Sequence, residues 1–558
     1  MVSRRILYVV SAVLLACSGG DRTAGSALSG VSGGTAVIST GGDPDVLFPA
    51  LSSTLQARQV EDLVFDHLAD IGDSLNTVGD RGFRAHLARS WDWSADSLSI
   101  AFHIDPGARW HDGQPVRASD AAFTYRLYTD TATASPAASL LVGIDSVTVR
   151  DSLTAVFWYS RRNPLQFFQA VYPMLVLPEH LIGATRGSAL RSSAIARAPV
   201  GSGRFRFVSW RAASAIEVAA DTGNYRGRPT LDRVIWSIAP DFNTAMARLL
   251  GRESDILEAI TAPSLPEVTA HPDLRVVLLP GLDYNFIQFN LRDARGGTSP
   301  HPLFADRGLR RALTMAVDRS RTVLSVYDTL AVPALGPTVR AFPTTDTSLT
   351  QIPYSPDGAR RALDSLGWHD SNGDSIRDHN GRPLRFTLVV PSSSKNRMNM
   401  AVLVQDQLRK VGVKMEIEPL EFASFTDREK SGKFDAVFGG WHVDASPSGI
   451  RQTWSSAGAR STGGSNYGSY ENAAFDAGVD SALAGMSLES RRELFRRAYQ
   501  QIIDDAAAIW MAEPKTVLAI HRRLRTSGMR PDAWWANLAD WSIPERDRIA
   551  RDRAALPR

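Results

Sequence analysis

Residues 98–128, LSIAFHIDPGARWHDGQPVRASDAAFTYRLY, decide how this chain folds. Apolar residues at every second position of 98–104 predict a β-strand with one face against a core and the other in water. Asp105-Pro106-Gly107 predicts a turn, because Pro fixes φ and Gly tolerates positive φ. Ser119 and Asp120 stand at the expected N-cap of a following helix. The stretch is therefore predicted to be a strand, a turn and a capped helix.

His111 and Asp112 in this stretch raise the alternative of a catalytic pair, with the histidine as base and the aspartate as its orienter. Adjacent residues on an extended segment point to opposite faces, which makes a relay between them difficult. A structural role is predicted for both.

The whole stretch closely resembles the signature of the family 5 extracytoplasmic solute-binding proteins, the receptors of peptide and nickel ABC transporters. Other segments are similar to further motifs of this family and follow in the same order. These segments are residues 43–49, 199–205, 255–256, 284–291, 310–318 and 466–476. The resemblance extends from about residue 35 to residue 541.

The resemblance implies an α/β fold, namely a two-lobe periplasmic-binding-protein-like fold with hinge strands and a small β-rich extension on the first lobe. Mapped onto this chain, lobe one takes residues 35–78, 197–290 and 515–545, the extension takes 79–196, and lobe two takes 291–514. Strand, helix and strand patterns at 384–390, 398–411 and 413–420 agree with an α/β second lobe. Ligand is expected between the lobes, which close about the hinges.

Length, composition and charge fit this interpretation. A chain of 558 residues is too long for one core, and 44% hydrophobic with 22% charged residues is typical of a globular protein. The net charge is only +3, and the basic residues are spread along the sequence, so nucleic acid is not expected as a partner. We expect a monomer without a cofactor.

The first 34 residues predict export and anchoring. Arg4 and Arg5 precede an apolar run at 6–16, which is too short to span a bilayer but suits a signal-peptide core. The run ends in Leu-Leu-Ala-Cys17, which resembles a lipobox, so residues 1–17 are predicted to be a lipoprotein signal peptide with Cys17 carrying the lipid. Cys17 is the only cysteine, which excludes an intrachain disulfide. Residues 18–34, rich in Gly and Ser, predict a flexible tether to the membrane surface of an extracytoplasmic compartment, either the periplasm or the cell surface.

Residues 439–447, GGWHVDASP, contain the strongest candidate for the ligand site. In peptide-binding members of the family, a Trp in this loop is followed three residues later by an Asp that pairs with the α-ammonium of the ligand, and Trp441 and Asp444 occupy those positions. The proline comes one residue earlier than in those members, so a rebuilt loop is expected. His442, Asp45 in segment 43–49 and Asn285 in segment 284–291 are the other predicted ligand-binding residues.

Other sequence patterns raise alternatives of lower weight. Residues 30–34 match the G-x-S-x-G pattern of serine hydrolases, but no strand precedes them and no helix follows. Residues 370–378 space oxygen ligands like a calcium loop but lack its Gly and its last Glu, so a structural turn is predicted. Gly201 and Gly203 suggest a phosphate cradle, but no G-K-[ST] follows, and a tight backbone path is favoured. No metal site and no catalytic residue are predicted.

The predicted function is that of a substrate-binding receptor of an ABC importer, which captures short peptides between its two lobes and delivers them to the permease subunits in the membrane. Nickel chelates and oligosaccharides stay open as alternative ligands of the same fold, and His442 keeps the nickel alternative open. The alternative from a different class is a serine hydrolase.

Overall fold

The structure is a computed structural model that describes residues 32–295, 297–461 and 464–554. The predicted signal peptide, Cys17 and all but the end of the predicted tether lie outside the described residues. No helix in the described ranges is both long enough and apolar enough to cross a membrane.

The strands are β1 (Thr35–Thr40), β2 (Ala69–Ile71), β3 (Phe83–Ala85), β4 (Ala88–Trp93), β5 (Ser99–Ile104), β6 (Ser146–Asp151), β7 (Thr154–Trp158), β8 (Phe205–Arg211), β9 (Ala215–Ala220), β10 (Arg233–Ile238), β11 (Ile256–Glu258), β12 (Leu274–Leu279), β13 (Asp283–Phe289), β14 (Ala331–Pro333), β15 (Asp378–His379), β16 (Arg382–Pro383), β17 (Arg385–Pro391), β18 (Lys414–Leu420), β19 (Ala436–His442), β20 (Ala508–Pro514) and β21 (Thr516–His521).

The helices are α1 (Leu55–Val64), α2 (Ala118–Thr129), α3 (Gln166–Val171), α4 (Glu179–Ile182), α5 (Ser188–Arg191), α6 (Phe242–Leu250), α7 (Leu265–Ala270), α8 (Arg307–Met315), α9 (Arg319–Tyr327), α10 (Pro356–Ser365), α11 (Lys395–Arg409), α12 (Phe422–Lys430), α13 (Ile450–Trp454), α14 (Ser456–Arg460), α15 (Ala473–Ala484) and α16 (Leu488–Asp504).

The first large sheet has seven strands in the order β12-β21-β11-β1-β10-β9-β8. Strand β1 runs parallel to both β10 and β11, and helix α6 connects these two neighbours. Ile38, Trp236 and Ile256 lie side by side across the three strands and are fully buried. The βαβ-like unit predicted around residues 234–256 is therefore confirmed.

The stretch that opens the sequence analysis is β5, a turn and α2, as predicted, with two differences. Ser99 and Ala101 on the second face of β5 are also buried, so the expectation of a water-exposed face was wrong. Strand β5 lies between β4 and β7, and other parts of the protein cover most of both its faces. The N-cap of α2 is Arg117, not Ser119 or Asp120. Asp120 instead accepts a hydrogen bond from the Arg117 backbone N at 2.8 Å, which satisfies this group from inside the first turn.

His111 and Asp112 contact different partners, which is the structural role that the sequence predicts. His111 Nε2 lies 2.9 Å from the Gly203 carbonyl oxygen, and the Asp112 carboxylate lies 2.7 Å from His180. The loop that His111 holds runs against α1, where a Cβ on Gly201 would lie 1.8 Å from the Val64 carbonyl oxygen. Close backbone approach therefore requires this glycine, and the predicted tight path is confirmed.

The second large sheet has six strands in the order β14-β20-β13-β19-β17-β18. Strands β17 and β18 are parallel and joined by α11, which confirms the predicted strand, helix and strand. Strand β13 pairs with β19 and β20 of this sheet. The predicted end of the first lobe at residue 290 is therefore wrong, because it assigns β13 to the first lobe.

The chain passes between the two large sheets at two described places. One is residues 280–282, between β12 and β13, and the other is Lys515, between β20 and β21. The two connections touch, because a Cβ on Gly281 would lie 1.8 Å from the Pro514 carbonyl oxygen. Paired short connections of this kind are where a hinge motion would concentrate backbone changes.

Candidate functional site

The candidate site is built on the antiparallel pair of β13 and β19 in the second sheet. Asn285 pairs with Gly440, Tyr284 with Trp441, and Asp283 with His442. Side chains alternate across a strand, so the partners Tyr284 and Trp441 share one face of the sheet, and Asn285 and His442 share the other. Pairing of β13 with β19 therefore places Asn285 next to Gly440, in the segment 439–447 that was predicted to hold the ligand site.

The loop that follows β19 packs against the first lobe. Ala445 is 1% exposed and belongs to the hydrophobic cluster that contains Ile38 and Trp236 of the first sheet. Asp444, the residue before it, is exposed. Among the described residues, no hydrogen bond or ion pair to its carboxylate is found. A charged group that is held by a buried neighbour and has no protein partner is available to a ligand.

A cavity of about 230 Å³ adjoins this loop. Its walls include Tyr284, Phe342, Trp441, His442, Asp444 and Ile450. The Trp441 ring also lies 6.0 Å from the Tyr467 ring, centroid to centroid. The structure therefore brings Trp441, His442 and Asp444 together at one cavity, with aromatic walls next to a carboxylate. The volume is below the roughly 300–1000 Å³ of a whole small-molecule site, so it fits one part of a larger ligand.

His442 already has a protein partner. Its Nδ1 lies 3.1 Å from an Asp283 carboxylate oxygen, and the two side chains are 68% and 53% exposed. This hydrogen bond raises the pKa of His442, although burial acts in the opposite direction. The contact with Asp283 uses only Nδ1, and a carboxylate partner of this kind is common for metal-binding histidines, so the nickel alternative stays open.

Arg397 contacts the sheet face that carries Asn285, opposite Tyr284 and Trp441, and the sequence analysis missed it. Its Nε donates to Asn285 Oδ1 at 3.0 Å, and a Cβ on Gly440 would lie 2.6 Å from its Nη2. Burial lowers the pKa of Arg397, although the negative charges of Glu429 and Asp283 act in the opposite direction. Arg397 lies in the first turn of α11, just after β17, and ligand sites of α/β sheets form at such carboxyl ends of parallel strands. That position is the signal that would have identified it.

Asp45 lies in an arrangement of its own. Its carboxylate accepts hydrogen bonds from Ser53 Oγ at 2.9 Å and Thr54 Oγ1 at 3.0 Å, and Arg191 lies 3.8 Å away. These hydrogen bonds lower the pKa of Asp45 more than partial burial, the largest single influence, raises it. The structure shows no contact between Asp45 and Asp444, and the partners of Asp45 give it a role in holding its own loop.

The segment 370–378 forms a turn. Asp370 accepts hydrogen bonds from the backbone N of Gly373 at 2.7 Å and of Ser375 at 3.0 Å, so its two oxygens are occupied. Within the described residues, no group of three or more His, Cys, Asp or Glu side chains is arranged to hold a metal ion.

Glu429 gives the second lobe a predicted pH dependence. Burial raises the pKa of Glu429 to about 7, against the positive charge of Arg397. The native state therefore binds more protons than the unfolded state between about pH 4.5 and 7, so this group makes stability fall as pH rises through that range. We expect Glu429→Gln to remove this loss and to be about 1–3 kcal/mol more stable than the parent chain at pH 8, with little difference at pH 4.

Urea unfolding of both chains at pH 4 and pH 8 measures this effect. Glu253→Gln, which changes an exposed carboxylate, serves as the control and should show no such pH-dependent gain. Equal gains in the two variants at pH 8 would contradict the assignment to Glu429.

Comparisons with known proteins agree with this architecture. The family model of bacterial extracellular solute-binding proteins, family 5 middle, matches residues 82–462. Oligopeptide-binding protein AppA of Bacillus subtilis is 27% identical over 549 residues, which is 96% of this chain and 97% of the relative. Heme-binding protein A of Haemophilus influenzae is 27% identical over 459 residues, which is 76% of this chain and 77% of the relative.

The structure of AppA from Bacillus subtilis in complex with a nonapeptide superposes with a TM-score of 0.73 at 25% identity, and the match covers 92% of this chain and 99% of the AppA chain. The two-lobe α/β fold expected from the sequence is confirmed by this likeness.

Proposed function

We propose, from the premise that this chain belongs to the bacterial extracellular solute-binding proteins of family 5, that it captures short peptides between two lobes and delivers them to the permease subunits of an ABC importer. The observation that carries the proposal is the unpaired Asp444 carboxylate beside the aromatic cavity at Trp441. Support also comes from AppA, an oligopeptide-binding relative that this chain matches over nearly its whole length.

The chemistry of the site suits the parts that all peptides share. A receptor for mixed peptides must draw affinity from the backbone and the charged ends, since side chains vary. Asp444 offers a negative charge for an α-ammonium. The aromatic walls at Trp441 and Tyr284 accept apolar groups of varied shape.

Nickel chelates and oligosaccharides receive less support as ligands. The relative that this chain matches over nearly its whole length, AppA, is an oligopeptide-binding protein. The relatives named above are binding proteins, and we propose no catalytic activity. We further propose that the chain acts as a monomer.

Saturating peptide is expected to make the particle more compact and more stable. A ligand that contacts both lobes binds the closed form preferentially, which shifts the population towards it. At about a hundred times its dissociation constant, the ligand should add roughly 2.7 kcal/mol to the free energy of unfolding. Small-angle scattering with mixed pentapeptides to nonapeptides measures the radius of gyration, and thermal unfolding measures the stabilisation. An unchanged radius at saturation would count against a hinged receptor.

We propose that Cys17 carries lipid and holds the chain at a membrane surface. A lipoprotein cysteine carries several acyl chains, which anchor firmly where one chain would bind only marginally. Cys17→Ala should therefore move the protein from the membrane fraction to the supernatant or leave it unprocessed with its signal peptide. Fractionation combined with mass determination distinguishes these forms from the parent. A Cys17→Ala chain that is processed and still stays with the membrane as the parent does would disprove the anchor.

A further inference from the structure

A second cleft, of about 360 Å³, lies on the first lobe beside the end of β21. Its walls hold six arginines, namely Arg252, Arg522, Arg523, Arg525, Arg546 and Arg548. The acidic residues that line it are Asp273 and Asp547. Three of these arginines lie at 522–525, two at 546–548 and one at 252, so the fold brings three separate parts of the chain together into one basic surface.

The carboxylates near the cleft do not balance these charges. Arg252 pairs with Asp273, and Arg523 pairs with the buried carboxylates of Asp255 and Asp552. Arg525 and Arg546 share the single carboxylate of Asp547, each at 3.9 Å. Arg522 donates to the Pro272 carbonyl oxygen at 3.0 Å, and among the described residues it has no ion pair. The cleft therefore keeps an excess of positive charge.

Two neighbouring residues, Arg275 and His521, are relevant to anion binding at this cleft. The pKa of Arg275 is lowered first by burial and then by the positive charges of Arg522 and Arg525. His521 also lines the cleft and is 6% exposed, and its Nε2 atom is buried without a hydrogen-bond partner among the described residues. A buried ring nitrogen without a partner, at the wall of a basic cleft, is suited to a hydrogen bond with an oxyanion.

The amino-terminal end of the described chain runs along the same cleft. A Cβ on Gly33 would lie 2.6 Å from the Arg548 guanidinium, so Gly33 passes directly over that arginine. Ser32 is only 15 residues after Cys17. Even fully extended, fifteen residues reach at most about 50 Å, so the end of the described chain cannot lie farther than this from Cys17. Anchoring through Cys17 would thus keep the cleft close to the lipid headgroups.

We propose that this arginine cleft binds the phosphate group of anionic phospholipid headgroups on the membrane to which the chain is tethered. The membrane as the source of the phosphate rests on the proposed anchoring through Cys17. Guanidinium groups bind phosphate with two parallel hydrogen bonds, which makes arginine well suited to this role. Anionic lipids attract each basic residue near the surface, and the attraction fades within a Debye length, about 8 Å at physiological salt. Headgroup contact would turn a loose tether into a fixed orientation of the receptor.

Calorimetry with soluble short-chain lipids tests the binding directly. Dihexanoylphosphatidylglycerol is titrated into the purified protein, with dihexanoylphosphatidylcholine and inorganic phosphate as separate ligands. We expect the anionic lipid to bind and the zwitterionic lipid to bind far more weakly. Arg522→Gln combined with Arg525→Gln should weaken the anionic lipid roughly thirtyfold. The matched control, Arg361→Gln with Arg382→Gln, removes the same charge at exposed sites of the second lobe and should change little.

Equal affinity of both double variants for the anionic lipid would overturn the proposal. Binding of inorganic phosphate without binding of the lipid would also overturn it and would assign the cleft to a free anion. Hydrogen exchange of residues 521–526, on protein reconstituted into phosphatidylcholine vesicles, should slow when phosphatidylglycerol is included, and unchanged exchange would contradict the membrane source. Peptide affinity should be the same in all these variants, so a failure here is distinct from a failure of the proposed receptor function.

Discussion

Asp444→Asn is expected to weaken the binding of peptides with a free amino terminus roughly ten- to hundredfold. The substitution keeps the size of the side chain and removes its charge. A hydrogen bond to a charged group contributes about 1.5–3 kcal/mol, and 1.4 kcal/mol corresponds to a factor of ten in affinity. The exposure of Asp444 in this structure keeps the expected loss below that of a fully buried ion pair.

N-acetylated peptides show whether the lost contact is with the amine. They lack the ammonium, so they should bind the parent chain poorly and lose little more with Asp444→Asn. Calorimetry on the two peptides with the two chains forms a double-mutant cycle. Losses that simply add would mean that Asp444 does not meet the amine, and would direct attention to the nickel or oligosaccharide alternatives.

Local sequence patterns predicted most of the helices and strands, but not which strands pair with one another. The alternating residues of 284–291 identified β13 as a strand. They carry no information about its neighbours, which are β19 and β20, more than a hundred residues further along the chain. The family resemblance places residues 284–290 in the first lobe, although the hydrogen bonds of β13 lie in the second sheet. Sheet membership depends on such non-local pairing, whereas the strand itself depends on its own residues.

The same difference between local and long-range contacts applies to the candidate site. The resemblance of 439–447 to the loop of peptide-binding family members identified Trp441 and Asp444, and both line one cavity because they belong to one short segment. Arg397 was missed because its contact with Asn285 joins residues that are 112 positions apart. Asp45 was predicted from the resemblance of segment 43–49, but its carboxylate is occupied by hydrogen bonds from Ser53 and Thr54, which lie outside that segment.

The first lobe is held together by a buried charge cluster around Asp255 and Arg523. Arg523 Nε lies 2.6 Å from Asp255 Oδ1, and Arg523 Nη1 lies 2.7 Å from Asp552 Oδ2. Asp255 also accepts from the Val37 backbone N at 2.9 Å, and Arg551 donates to it at 2.7 Å. The cluster thus joins the first strand, the start of β11, the end of β21 and the carboxyl-terminal segment.

Asp255→Ala is expected to lower the free energy of unfolding by about 3–5 kcal/mol, because it leaves Arg523 buried without its main counter-charge. Asp255→Asn keeps hydrogen-bonding atoms but not the charge, so it should lie between the parent chain and the alanine variant. The matched control is Asp480→Ala, which breaks the pair with Arg451, where both side chains are more than half exposed, and should cost less than about 1 kcal/mol. Urea unfolding followed by tryptophan fluorescence measures all three. Similar losses for Asp255→Ala and Asp480→Ala would mean that the buried cluster adds no more stability than a surface pair, and that the hydrophobic cores alone hold the lobe together.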